Sequence, residues 1–256
     1  MKSCRIAIVL MLTLAILILA GPFLGTAHAQ KAKKTSDWTG FYAGINLGAG
    51  LGHSDETFVE HSSGGYTDTV VPDGVSTDSD GVLVGGQFGF LVQKRRFVFG
   101  AETDFQYSGM SGTGTYTGVV VDDGSPDANS SIIAHQATTY LGTLRGRIGV
   151  AISPKVLLYG TGGLAYGNVD YGANLIYYGT SPNYPAAMSA MKAGWTAGGG
   201  VEIRLQRHWS VRGEYLYYDL GAQHLNGAEQ PSGTYTNYYT MTTTAQVVRF
   251  ALNYRF

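Results

Sequence analysis

A single cysteine, Cys4, is the entire thiol inventory of this 256-residue chain. It lies ahead of an apolar run, in a stretch that reads as removable. Met1 to Arg5 carries Lys2 and Arg5, Ile6 to Ala20 is uncharged and mostly apolar, and Ala27-His28-Ala29 gives a small-x-small site before Gln30. That order predicts a secretory signal over residues 1–29, cleaved on export. The apolar run is short for a bilayer-spanning helix, which needs about 20 residues. Cys4 precedes the run, so it is not placed to become a lipid-bearing N-terminus. The mature chain is then free of cysteine, which excludes disulfide and thiol chemistry there.

Other shortages narrow the class further. Beyond the signal no apolar stretch is long enough for a membrane helix; the longest are broken by Gly, polar residues or Pro154-Lys155. Helical periodicity is almost absent, and lysine is scarce. The formal net charge of −1 gives composition no case for nucleic acid. What is abundant is Gly, 37 residues, and Tyr, 18 residues. Length and pattern predict one large all-β domain, residues 38–256, after a basic N-terminal tail, residues 30–37, with Lys31, Lys33 and Lys34.

Eight Gly-rich alternating segments are predicted as strands: Trp38–Leu51, Val82–Gln93, Phe97–Tyr107, Thr139–Ile152, Val156–Val169, Ala193–Gln206, Trp209–Leu220 and Thr244–Phe256. Each reaches the roughly 9–11 residues of a tilted membrane strand. Their connections alternate. "QKRR", "SPK" and "QRH" are tight, whereas residues 52–81, 108–138, 170–192 and 221–243 form long polar links. Short turns at one end and long loops at the other predict an eight-stranded antiparallel up-and-down transmembrane β-barrel. Charge follows the same split. The first long link holds Asp55, Glu56, Glu60, Asp68, Asp73, Asp78 and Asp80, and the second Asp122, Asp123 and Asp127, without Lys or Arg; the tight turns carry Lys94, Arg95, Arg96, Lys155 and Arg207.

Alternation also predicts which face meets lipid. One face carries Phe41, Ile45, Leu47, Phe88, Phe90, Phe97, Phe99, Phe105, Leu144, Ile148, Leu157, Tyr159, Trp195, Trp209, Tyr215, Phe250, Leu252, Tyr254 and Phe256. So many large side chains do not fit inside eight strands, whose interior is just wide enough for side chains to fill. The fifth strand, "VLLYGTGGLAYG", alternates weakly and leaves its facing open. The other face alternates Gly with charge. From the cost of unpaired buried charge, a lumen network is expected among Glu102, Asp104, Arg145, Arg147, Glu202, Arg204, Arg212, Glu214 and Arg249.

The stretch "DWTGFYAGINLGAGLG" carries W-T-G-F-Y-x-G-x-N-x-G at Trp38, Thr39, Gly40, Phe41, Tyr42, Gly44, Asn46 and Gly48. It resembles the first strand of an alphaproteobacterial family of small outer-membrane β-barrels, described as porin-like surface antigens or outer-membrane immunogenic proteins and similar to the transmembrane domain of OmpA. The resemblance extends over every strand and none of the long links. It implies residence in the outer membrane of a Gram-negative bacterium and insertion by the barrel assembly machinery. That machinery's C-terminal signal falls on Arg249, Ala251, Tyr254 and Phe256, with Ala251 where Gly is usual.

The expected role is structural and interactive: a surface protein of the envelope, with acidic external links facing lipid, lipopolysaccharide, divalent ions or host ligands, and a lumen plugged by charge. The runner-up is a small porin-like channel; a soluble lipocalin-like barrel is a further alternative fold. Neither an enzyme nor a cofactor is expected. Ser130 or Ser131 beside His135 lacks an orienting third group. His53, His61, His135 and His224 lack metal-ligand spacing, although some relatives in this family are described as haem-binding. "DSDG" at Asp78–Gly81 opens like a Ca²⁺ loop but lacks the remaining ligands, and "GTGGLA" at Gly160–Ala165 has no helix after it to complete a dinucleotide site.

Overall fold

The computed structural model describes residues 37–61, 74–121, 125–176, 183–228 and 236–256. The proposed signal, residues 1–29, and all of the proposed tail, residues 30–37, except Asp37 lie outside them. Eight strands follow one another: β1 Gly40–His61, β2 Gly74–Lys94, β3 Phe97–Val121, β4 Ser125–Ser153, β5 Val156–Ile176, β6 Asn183–Arg204, β7 Trp209–Ala228 and β8 Thr236–Arg255. Each pairs antiparallel with its neighbour, and β1 pairs with β8 to close the ring. The closing register runs from Tyr42 opposite Arg255 to His61 opposite Thr236. Closure leaves no sheet edge, which is what allows strands to stand in lipid.

Tight turns join β2–β3, β4–β5 and β6–β7. In the first, Arg95 takes the left-handed conformation, φ 58°, and Gln93 Nε2 donates to its carbonyl at 2.6 Å. By the rule that short turns face the periplasm, this end is periplasmic, together with both ends of the described chain. Lys94, Arg95, Arg96, Lys155 and Arg207 are exposed there.

The strands run well past the predicted boundaries. They are 20 to 29 residues long, about twice what a bilayer needs. Most of the predicted long links are therefore not loops but ladder that continues outside the membrane. His53, Asp55, Asp78 and "DSDG" lie in β1 and β2, and His135 and His224 in β4 and β7, not in loops. The physical reason is the inner face. Met110, Ile132, Val169, Tyr171, Tyr239 and Met241 point inward beyond the membrane belt and are buried, so the barrel keeps a packed interior where its exterior meets water. Asp68, Asp73, Asp122 and Asp123 lie outside the described residues.

The exterior belt is apolar. Ile45, Leu47, Val84, Leu144, Ile148, Leu158 and Leu164 are all more than half exposed. Aromatic pairs flank it, with Phe41–Phe90 centroids at 4.6 Å and Trp209–Tyr254 at 5.1 Å near the turns, and Phe105–Tyr140 and Trp195–Tyr217 at 5.4 Å higher up. These are interfacial girdles. One part of the predicted facing is corrected. Leu157 and Tyr159 point inward, 1% and 5% exposed, while Leu158 and Leu164 of the same strand face out. The Gly160–Gly163 run hides the period locally; the buried series Val169, Tyr171, Ala173 and Leu175 further along β5 reveals it.

Candidate functional site: the layered lumen

The interior is stacked in layers from the periplasmic end. The first is a cluster of Trp38, Tyr42, Leu91, Val98, Leu157 and Tyr159. Trp38 precedes β1 and closes the mouth. Its backbone N–H donates to Gln93 Oε1 at 2.8 Å, and its ring lies under Arg204 and Arg255, 4.5 and 4.8 Å from the guanidinium carbons. Such cation–π contacts stabilise more when desolvated, and Trp38 is fully buried.

Above this mouth the charged residues meet. Arg145 donates to Glu102 Oε1 at 2.5 Å, to Asp104 Oδ2 at 2.8 Å and to Glu214 Oε1 at 3.2 Å. Arg147 donates to the Tyr42 hydroxyl at 2.8 Å and to Glu202 Oε2 at 3.1 Å. Arg249 donates to Glu214 Oε2 through Nε at 2.7 Å and to Asp104 Oδ2 at 2.9 Å. Arg212 of β7 donates to Glu102 of β3, on the opposite wall. Thr143 and Ser210 donate to Asp104 and Glu202 at 2.8 and 2.6 Å, and Tyr159 donates to Glu214 at 2.8 Å. Every charge here has an opposite within reach, which offsets the desolvation of each. Arg204 alone of the nine expected residues sits apart, at the periplasmic mouth, where it donates to the Asp37 carbonyl at 3.0 Å.

Glycine makes this crossing feasible. A Cβ at Gly44 would collide with Asn253 Oδ1 and fall 2.5 Å from Gln87 Nε2. The Gln87-to-Asn253 hydrogen bond, 2.6 Å, therefore passes directly over Gly44. Tyr42 and Thr143 join the site from the inner face that alternation predicts for them, and Tyr159, Ser210 and Trp38 join it without being among the residues expected there. Their signal is the inward period, which the glycine run masks for Tyr159.

The extracellular half of the lumen is built around two apolar clusters, with buried hydroxyls and amides among them. Leu83, Met110, Leu141, Leu216, Tyr218, Tyr239 and Met241 belong to one packed cluster, and Val75, Ile132, Ala134, Leu175 and Tyr184 to a second. Two buried charges stand among them. Lys192 donates to the Ala222 carbonyl and, at 3.0 Å, to Gln223 Oε1, bracing the β7 bulge where Gly221 has φ 71°. Glu56, read from sequence as part of an acidic exterior, points inward and is 1% exposed.

On the outer wall just above the lipid belt, His53 bridges two carboxylates, Nδ1 to Asp78 Oδ1 at 2.7 Å and Nε2 to Asp55 Oδ1 at 3.1 Å. Ser76 donates to the same Asp55 oxygen at 3.0 Å. The Asp78 and Asp55 contacts raise the His53 pKa above the usual imidazole range. The candidate Ser–His pair does not assemble. Ser130 is buried on the inner face of β4 and His135 is exposed on the outer one. Ser131 shares the outer face but stands about 13 Å along the strand from His135. His135 instead pairs with Thr113 at 3.2 Å and His224 with Thr240 at 2.9 Å. Among the described residues no group of three or more His, Cys, Asp and Glu side chains is placed to hold a metal ion.

Closed ring, lipid-facing apolar belt, aromatic girdles and charged interior together define an integral outer-membrane β-barrel. The chain belongs to the outer membrane protein beta-barrel domain family, whose profile matches residues 17–256. It is 35% identical over 229 residues to the 31 kDa outer-membrane immunogenic protein of Brucella melitensis biotype 1, covering 87% of this chain and 85% of that one. Among solved structures it is similar in fold to the outer membrane protein OprG of Pseudomonas aeruginosa, with TM-score 0.51, 14% identity and coverage of 88% and 99%. It is also similar in fold to the outer membrane protease OmpT of Escherichia coli, with TM-score 0.50, 12% identity and coverage of 89% and 99%. At such identities these two likenesses concern the fold alone.

Proposed function

We propose that this outer-membrane barrel is a non-enzymatic structural and surface-interaction protein whose lumen is closed to solutes. The carrying observation is the ionic lattice that ties β3 and β4 to β6, β7 and β8 across the interior. Trp38 acts below it as a stopper, and the apolar clusters fill the space above. With transport closed, the working surface is the exterior of the extended strands. Asp55 and Asp78 lie just above the lipid belt, at the level where lipopolysaccharide phosphates and their divalent counterions stand. The Brucella relative is named an outer-membrane immunogenic protein, which supports an exposed role. Single-protein recordings in planar bilayers test this reading: the native protein is expected to give no resolved openings, and a Trp38→Ala/Arg212→Ala double variant to give small ones. Large, stable steps from the native protein would overturn it.

A small porin-like channel is the second reading, and one observation favours it. Arg212 Nε and Nη2 and Arg249 Nη1 are buried without a protein partner. Buried N–H groups of this kind are normally satisfied by water, and a water file through the lattice would be the start of a pore.

A further inference from the structure

Glu56 is the carboxylate that the lattice leaves out. It lies on β1 five residues beyond Leu51, outside the lipid belt, and neither of its oxygens has a hydrogen-bond partner. It does not stand alone. Ser54, Thr77 and Ser79 are also inward, at 0%, 0% and 2% exposure, and each hydroxyl is equally without a partner. The register groups Glu56, Ser54 and Thr77 in adjacent rows of the inner wall and puts Ser79 one row further, about 13 Å along the strand from Glu56. Ser54 is opposite Thr77, Gly52 opposite Ser79 and Glu56 opposite Val75. Glycines make room beside them. A Cβ at Gly52 would collide with Ser79 Oγ, and one at Gly114 would fall 2.8 Å from Thr77 Oγ1. Both hydroxyls thus lie against bare backbone.

The surroundings supply no counter-charge. Val75, Ile132, Ala134, Leu175 and Tyr184 form an apolar cluster at this level. On β8, Met241 faces Glu56 across the ladder, while Thr243 is occupied by the Tyr171 hydroxyl at 2.7 Å. Among the described residues the only other inward charge above the lattice is Lys192 on β6, and it is engaged by Ala222 and Gln223. Tyr171, Tyr184, Tyr218 and Tyr239 are the remaining inward titratable groups; the Tyr239 hydroxyl donates to the Tyr184 carbonyl at 2.9 Å, and the Tyr218 hydroxyl accepts from Gln106.

We propose that Glu56, with the hydroxyls of Ser54 and Thr77, forms an internal binding site for a monovalent cation, either an alkali metal ion or a primary ammonium group. Four hard oxygen donors and a single negative charge are the match for such a ligand. A divalent ion would leave a net positive charge against apolar walls, which is costly. A proton competes for the same carboxylate, since burial pushes the Glu56 carboxyl up to about 8. Protonation of Glu56 alone leaves the Ser54 and Thr77 hydroxyls without partners in this arrangement, whereas one cation is held by all three groups together.

Competition between proton and cation gives the test. The folded full barrel in detergent is heated at constant ionic strength in chloride salts of sodium, potassium, methylammonium or tetramethylammonium, at pH 6 and pH 9. The bulky quaternary ion is too large to be enclosed by the four oxygens. Relative to it, the binding cation is expected to raise the unfolding midpoint by several degrees at pH 9 and by less at pH 6, and the rise is lost in Glu56→Gln. A rise with sodium or potassium alone identifies an alkali site; a rise with methylammonium alone identifies an ammonium site. Infrared spectra of the native protein supply a readout that does not depend on the variant folding. At pH 7 the protonated-carboxyl stretch is expected to weaken when the binding cation replaces tetramethylammonium. Equal midpoints in all four salts at pH 9, with a carboxyl stretch indifferent to the cation, would overturn the proposal and leave Glu56 a protonated structural acid.

Discussion

Arg249 of β8 and Asp104 of β3 meet across the lumen, Nη2 to Oδ2 2.9 Å, with both side chains fully buried. They stand three strands apart around the ring, so their contact holds two walls together rather than one ladder. Removing one partner strands the other in a medium that cannot solvate it. Arg249→Ala is expected to lower barrel stability by about 3–5 kcal/mol, whereas Arg249→Met with Asp104→Leu costs less than the sum of the single changes. Denaturant unfolding in lipid vesicles, followed by the gel shift of folded against boiled protein, measures both.

Leu144 faces lipid beside buried Arg145, and alternation alone separates them. Leu144 is 56% exposed and Arg145 is 1% exposed. Leu144→Arg is expected to destabilise the inserted barrel by about 2–4 kcal/mol, the cost of a cation near the bilayer midplane. Leu144→Ile should leave stability almost unchanged. The same vesicle unfolding assay reads the difference, and an inert Leu144→Arg would contradict the assigned facing.

The outer-wall bridge should respond to pH. Asp78 and Asp55 favour protonated His53, so its pKa is higher folded than unfolded. The contribution is then fully present below the ordinary imidazole value near 6.5. It is lost as pH rises through the raised folded value. The residues are about half exposed, so the effect is small and screened by salt. A fall in the unfolding midpoint on passing from pH 6 to 9 that is slightly smaller in His53→Asn than in the native protein is the expected result; an NMR titration of the His53 ring gives the pKa directly.

The C-terminal strand has two jobs that can be separated. Arg249 and Ala251 point inward, while Tyr254 and Phe256 face out, with ring centroids 5.5 Å apart. The backbone N–H of Phe256 donates to the Phe41 carbonyl at 3.1 Å, beside the β1–β8 seam. If Tyr254 and Phe256 form the signal read by the assembly machinery, deleting Phe256 reduces membrane insertion in cells far more than it reduces folding of purified protein into detergent. Equal losses in both would assign Phe256 to barrel closure instead.

Much of this architecture is legible in the sequence. Period-two alternation at Phe250, Leu252, Tyr254 and Phe256 against Arg249, Asn253 and Arg255 specifies a strand with unlike faces, and the tight turns at "QKRR", "SPK" and "QRH" specify which strands are partners. Two things are hidden. Beyond the lipid belt both faces of a strand accept small polar residues, so the outer ends of β1 to β8 read as loops. Along Gly160–Gly163 the glycines carry no side chain to show a period, so Leu157 and Tyr159 fall on the wrong face when the sequence is read alone.

The sequence by itself determined the strand count, the alternation and the environment of each face, because these are local properties of a chain that must satisfy its backbone inside a bilayer. Only closure of the ring decided what the inward residues do. Arg145, Arg212 and Arg249 find Glu214, Glu102 and Asp104 from strands that are not neighbours in the chain. Glu56 finds no counter-charge among the described residues, because partners across a lumen are set by register and barrel diameter, and neither is written in any one strand.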